Sequence, residues 1–217
     1  MDASTSFHSS DRRSKLRAQQ AEVTRSTILG AARRLFARQG YAATAVRPIA
    51  EEAGVAVQTL YTAFGSKQGL LLALVDAGRE ESQSQVLGEK IHQTDDPLEM
   101  IGLAARIRRQ ILERCGDIVA TFREGAAGDR DVAAAYEEAQ RRTREGVTGL
   151  CSRLQAMGAL HAELALQRAV DQVAAMFSAE IYEELTGHRS GWSPDEYERW
   201  LFQRLSEILL RPDLRPS

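Results

Sequence analysis

Beyond residue 20 the apolar residues return at intervals of three and four, and alternation of β-branched residues is nearly absent. That pattern commits the chain to helices, because residues three and four apart share a face on an α-helix, whereas a half-buried strand needs a period of two. Ala, Leu, Glu, Arg and Gln dominate the same stretches and are strong helix formers. The fold expected is all-α.

Glycine, proline and capping residues divide the pattern into nine helices. Ile28, Ala32, Leu35 and Phe36 stripe the first, which Gly40 closes. Thr44 is placed to cap a short second helix that runs to about Glu52 and holds Pro48 one turn in. Gly54 permits a tight turn into a third helix, about Ala56 to Ala63, and Ser66 caps a fourth running from Lys67 into the high eighties. Asp96, Pro97 and Glu99 give a capping-box-like start to the fifth, whose apolar arc ends at Cys115. A short sixth helix is expected over about Asp117 to Glu124, and a long seventh follows Asp129 with a stripe from Val132 to Met157. The eighth covers about Ala162 to Leu185. Ser193, Pro194 and Glu196 form a capping box for the ninth, which ends at Pro212.

The charge is distributed unevenly. The 217 residues carry 28 Lys+Arg and 30 Asp+Glu, a net of −2. Residues 1–80 hold 11 basic and 7 acidic side chains (+4), which leaves 17 and 23 (−6) for residues 81–217. A basic first third suited to phosphate is joined to an acidic remainder. With 43% apolar and 27% charged residues the chain is neither collagen-like nor wholly disordered. Cys115 and Cys151 cannot make a disulfide framework, and His8, His92, His161 and His188 lie too far apart for metal-ligand spacing, so no metal and no cofactor is expected. The longest aliphatic runs, such as Leu70 to Val75, are far short of the ~18 residues needed to span a bilayer. With no apolar segment near the N-terminus to read as a secretory signal, the location expected is cytoplasmic, with no membrane partner. No Gly-rich phosphate loop, metal cluster or nucleophile–base pair suggests an enzyme. The organisation expected is a disordered basic arm over 1–20 with Arg12, Arg13, Lys15 and Arg17, a small basic domain over 21–66 suited to phosphate, and a helical bundle over 67–217.

Within the basic third, Ala50, Gly54 and Leu60 have helix-turn-helix spacing: a small residue at the helix crossing, a glycine in the turn, an apolar anchor beyond it. They belong to a longer run of Arg25, Ile28, Leu29, Ala31, Ala32, Leu35, Phe36, Gly40, Thr44, Val46, Ile49, Ala50, Ala53, Gly54, Val55, Thr59, Leu60, Tyr61, Phe64, Ser66, Lys67, Leu70 and Leu71. This run closely resembles the N-terminal domain of the tetracycline-repressor (TetR) family over about residues 20 to 75, without a gap. The resemblance implies a three-helix DNA-binding domain, a C-terminal helical bundle behind it, and a homodimer on a near-palindromic operator. Two positions depart from the pattern, Ala63 where the family often has His or Tyr, and Pro48 at a commonly acidic place.

On the third helix Val55 and Leu60 point inward, leaving Val57, Gln58, Thr59 and Tyr61 for the major groove and its rim. Gln58 is the candidate base reader, since a carboxamide pairs bidentately with adenine, and Thr59 suits a phosphate or a thymine methyl. Tyr61 is implied by the resemblance to bond a backbone phosphate. Lys67 joins its ammonium to a helix N-terminus, and Thr44 and Arg47 are expected to reach the backbone across the groove.

In the acidic part Arg108 falls within the apolar arc of the fifth helix, between Cys115 and Ile101, whereas Arg106, Arg109 and Glu113 fall on its polar side. A guanidinium aimed at a core needs a partner. Either it binds a polar or anionic group of a small-molecule effector in a pocket with Ile111, Cys115, Tyr136 and Phe177, or it pairs internally with Glu180 or Glu184. Small residues on the eighth helix, Ala175, Ser178 and Ala179 with Tyr182, together with Trp200 and Leu205 of the last helix, are candidates for a symmetric dimer interface. The function expected is an effector-responsive repressor that releases operator DNA; an activator or an effector-independent regulator of the same fold is the alternative.

Overall fold

The structure is a computed structural model that describes residues 4–81 and 84–216. Among the described residues there are ten α-helices, one short 3₁₀ turn and no β-sheet, only an isolated bridge between Leu160 and Leu210. The chain groups into two units, Met1–Leu74 and Val75–Ser217.

The first unit begins with α1 (Ser4–Ala43). Residues 4–20 are thus helical where the sequence suggests a disordered arm. Their Ala, Gln, Arg and Lys content lets the helix propagate from the packed stretch that follows, even though residues 15–22 are exposed. Regular geometry stops at Gly40 (φ 76°, ψ 165°), and Tyr41 turns back onto Phe36 with ring centroids 5.5 Å apart. Then come α2 (Val46–Ala53), α3 (Val57–Phe64) and α4 (Lys67–Glu81). Ile28, Ala32, Ile49, Ala50, Leu60 and Leu70 have no exposed surface and form the heart of this unit.

The α2–α3 turn follows from Gly54. At φ 67° and ψ 31° it occupies the left-handed region open to glycine, its N–H donates to the Glu51 carbonyl at 3.1 Å, and Val55 N–H donates to Ala50 at 3.0 Å. The next turn is fixed by Ser66, whose hydroxyl accepts from Gly69 N–H at 2.9 Å and caps α4.

The second unit contains the rest of α4, then α5 (Ser84–Gln93), α6 (Pro97–Ala126), α7 (Arg130–Ala156), α8 (Leu166–Met176), α9 (Ala179–Thr186) and α10 (Pro194–Leu209). The expected caps form: Asp96 accepts from Leu98 N–H, Asp129 from Asp131 and Val132 N–H, and Ser193 with Glu196 makes a reciprocal capping box. Three expected boundaries move. The expected fourth helix is described in two stretches, α4 and α5, and helical structure continues past the high eighties to Gln93. The fifth and sixth are one, because Leu112, Cys115, Ile118 and Phe122 continue a single buried stripe past Gly116. The expected eighth divides after Met176, because Ser178 leaves helical geometry (ψ 146°) and its hydroxyl accepts from Ile181 N–H, capping α9.

Gly78 of α4 packs against α6. A Cβ built there would lie 2.3 Å from Cys115 Sγ, so the two helices approach closely only because that side chain is absent. Gly78→Ala should therefore lower the melting temperature, with an overpacking cost of about 1–3 kcal/mol outweighing the gain of about 1 kcal/mol in helix propensity. Thermal denaturation of Gly78→Ala, Cys115→Ala and the double variant checks this: the double variant should be less destabilised than the sum of the singles.

Candidate functional site

Helices α2 and α3 bury one face and leave the other free. Ile49 and Ala50 of α2 and Leu60 of α3 are fully buried, whereas Arg47, Gln58, Thr59, Tyr61, Thr62 and Ala63 are exposed and Val57 is half-buried. Arg25 of α1 anchors the far end of α3, its Nη1 donating to the Ala63 carbonyl at 3.2 Å while the guanidinium lies 4.5 Å from the Phe64 ring centroid. A cation at a helix C-terminus satisfies a carbonyl that the helix itself leaves unpaired.

The start of each helix is more informative. Ala45 and Ala56 occupy the N-cap positions of α2 and α3, and neither helix has a side-chain cap. First-turn N–H groups thus lack a side-chain acceptor at two neighbouring helix starts, an arrangement suited to phosphate oxygens. The sequence signal for this was available: alanine stands twice where Ser, Thr, Asp or Asn is favoured.

The side chains expected at this surface divide into two groups. Gln58, Thr59 and Tyr61 share the open side of α3, with Tyr61 43% exposed. Arg47 is exposed and bonds Glu51 at 2.9 Å, an i,i+4 pair worth about 0.3–0.5 kcal/mol, weak enough for a phosphate to displace it. Lys67 opens α4 with its Nζ 3.5 Å from the Ala42 carbonyl and 4.1 Å from the Tyr41 ring centroid. Thr44 is the exception. It is buried, and its hydroxyl donates to the Gly40 carbonyl at 2.7 Å, so it neither caps α2 nor offers its side chain to DNA. Behind the surface, Arg34 and Arg38 both bond Glu52, at 2.7 and 3.0 Å. The Arg34 hydrogen bond, helped by Arg38, holds the Glu52 carboxyl below its usual range.

In the second unit Arg108 of α6 stands out. Part of the residue reaches the surface, but its Nε is shut off from solvent and has no hydrogen-bond partner among the described residues. The carboxylates expected as internal partners are engaged elsewhere, Glu180 with Arg123 and Glu184 with Arg189, and Arg123 also reaches Glu183. The guanidinium lies 5.8 Å from the centroid of Phe177. Burial lowers its pKa, against the pull of Tyr197, Glu180 and Tyr136. The hydroxyl of Tyr197 on α10 is also buried and unpaired, and burial pushes that phenol up to about 12, so it remains a donor. Tyr136 of α7 accepts from Gln140 Nε2 at 3.1 Å and packs edge-on against Phe122. Ile111 is half-buried, and Cys115 is spent on the contact with Gly78. A separate groove of about 560 Å³ between α6 and α10, lined by Gly102, Leu103, Arg106, Glu198 and Phe202, does not include Arg108.

Residues 28–74 match the model of the tetR family of bacterial regulatory proteins. Over those residues the chain carries a tetR-type DNA-binding domain. Over 105 residues it is 32% identical to YvkB of Bacillus subtilis (strain 168), an uncharacterised HTH-type transcriptional regulator, a match covering 48% of this chain and 53% of that one. It therefore spans about half the length of that relative. The probable HTH-type transcriptional regulator ArpR of Pseudomonas putida is 26% identical over 206 residues, covering 91% and 97% of the two chains. Among solved structures, the regulator FadR of Bacillus subtilis in complex with stearoyl-CoA superposes with a TM-score of 0.68 at 18% identity, covering 83% and 96%.

The six residues expected at a pairing surface do not share one exposed face. Ala179, Tyr182 and Leu205 are buried in the protomer's own core, where the Tyr182 and Tyr197 rings meet edge-on at 4.9 Å. Ser178 is spent on capping α9. Ala175 is exposed and Trp200 half-buried. Helix periodicity places a residue on a face but does not say whether that face meets its own chain or another.

Two outcomes follow from this geometry. Ala56→Asp should stabilise α3 by about 0.5–2 kcal/mol through the missing cap, yet weaken DNA binding by setting a carboxylate where phosphate would sit; thermal melts and duplex titrations read the two effects separately. Arg108→Met should stabilise the unliganded protein by about 1–3 kcal/mol, because it removes an unpaired buried donor and keeps the volume apolar. Thermal denaturation without added ligand tests that.

Proposed function

We propose that the protein is a transcriptional repressor that binds a palindromic operator as a homodimer in the cytoplasm and releases it when a small molecule enters the second unit. The observation that carries this reading is the open side of α3, with Gln58, Thr59 and Tyr61 exposed on a helix whose N-terminus has no side-chain cap. Gln58 reads adenine N6 and N7, Tyr61 and Lys67 hold phosphates, and Arg47 exchanges Glu51 for the backbone across the groove. Ala175 and Trp200 contribute to the pairing surface. Among the described residues no helix is long and apolar enough to cross a membrane. A protein of the same fold was solved in complex with stearoyl-CoA, which supports a ligand-responsive reading.

Release requires a ligand that prefers one arrangement of the second unit, since a ligand shifts an equilibrium only by its difference in affinity for the two states. Helix α4 is the connection available for this. Its residues to Leu74 belong to the first unit and the remainder to the second, where Gly78 meets Cys115.

Selection of bound sequences from a random duplex pool, at fixed salt, tests the reading. An inverted repeat should be enriched, and Gln58→Ala should lose about 1–3 kcal/mol against it while relaxing selection at one base pair of each half-site. Enrichment of no sequence by folded protein would contradict the proposal, as would a monomer at micromolar concentration in light scattering.

A further inference from the structure

We propose that the effector is an apolar organic acid with a single carboxylate, held between the guanidinium of Arg108 and the hydroxyl of Tyr197. This rests on the effector reading above and names the chemistry of the ligand. Two enclosed donors, Nε of Arg108 on α6 and the Tyr197 phenol on α10, have no hydrogen-bond acceptor among the described residues. Arg108 lies on the buried side of α6, and α6 and α10 pack against each other in the core of the second unit. A guanidinium presents its N–H groups as a planar fork that matches the two oxygens of a carboxylate, and a phenol beside it supplies a further donor.

The surroundings exclude other ligand classes. A cation meets the permanent charge of Arg108. A dianion such as phosphate brings a second negative charge into the field of Glu180, which Arg108 already feels and which Arg123 holds in place. The neighbours of the two donors are aromatic: Phe177 lies 5.8 Å from the guanidinium, and the Tyr197 ring meets Tyr182 at 4.9 Å and Trp200 at 5.8 Å between centroids. Such walls take an apolar body behind the carboxylate.

Trp192 and Trp200 are the only two tryptophans in the sequence, and their proximity to Tyr197 provides a signal. Full-length protein is titrated with octanoate and 4-phenylbutyrate, each against its primary amide and alcohol, and with inorganic phosphate, following tryptophan fluorescence and melting temperature. The acids should bind about tenfold or more tightly than the amides, alcohols and phosphate. Arg108→Met should remove that preference, and Tyr197→Phe should reduce it several-fold, with circular dichroism confirming the fold of both. The comparison of acid with amide in the unaltered protein needs no variant. Equal binding of acid and amide overturns the proposal, as does unchanged acid affinity in Arg108→Met, phosphate binding as tight as octanoate, or no binding of either acid. Operator release by neutral or cationic compounds while the acids are inert refutes the acid assignment and leaves the repressor reading standing. Acid binding without any enriched duplex does the reverse.

Discussion

Helices of eight residues do not hold their shape alone in water, since isolated helices shorter than about 12–15 residues are marginal. Both α2 and α3 are eight residues long, so the order of the reading surface is borrowed from packing: Ile49 and Ala50 on one, Leu60 on the other, all fully buried. That single constraint explains what is left outside. Once the apolar side of each short helix is committed to the core of the first unit, the remaining side carries Gln58, Thr59 and Tyr61. The helix starts, set at Ala45 and Ala56, keep their first-turn N–H groups without a side-chain acceptor. Stability is supplied by the buried side, which frees the exposed side and the helix ends for a ligand rich in phosphate.

The second unit shows the opposite arrangement. Its core is apolar and well paired at the surface, with Arg123 shared between Glu180 and Glu183 and Arg109 bound to Glu198 at 2.9 Å. Against that background the enclosed, unpaired Nε of Arg108 is costly, because burying a polar group is favourable only when hydrogen bonds replace the water it loses. Arg108 is the residue on which protein stability and the proposed ligand recognition pull apart.

Much of this was legible in the chain. The helix-turn-helix followed from Ala50, Gly54 and Leu60, the caps at Asp96, Asp129 and Ser193 from short polar side chains before apolar stripes, and Arg108 from its place within an apolar arc. The failures share a cause. Thr44 has the right chemistry for a cap, but its hydroxyl closes the end of α1 instead; Ser178 looks like a small packing residue and turns out to begin a helix. In both, one polar group had two local uses, and tertiary geometry selected between them. Tyr182 and Leu205 read as pairing residues in the sequence, yet both are buried within the chain's own core, because a stripe has no label for what it faces. The charge balance misleads in a similar way, a net −2 being the sum of a basic reader and an acidic body.

The central claim is that α2 and α3 meet DNA through their uncapped starts and the open side of α3. Amide hydrogen exchange, measured with and without an enriched duplex, addresses it directly. The account predicts that the backbone N–H groups of Val46, Arg47, Val57 and Gln58, which have no side-chain cap in the free protein, become protected on binding. Unchanged exchange at those four amides in a saturated complex would contradict it.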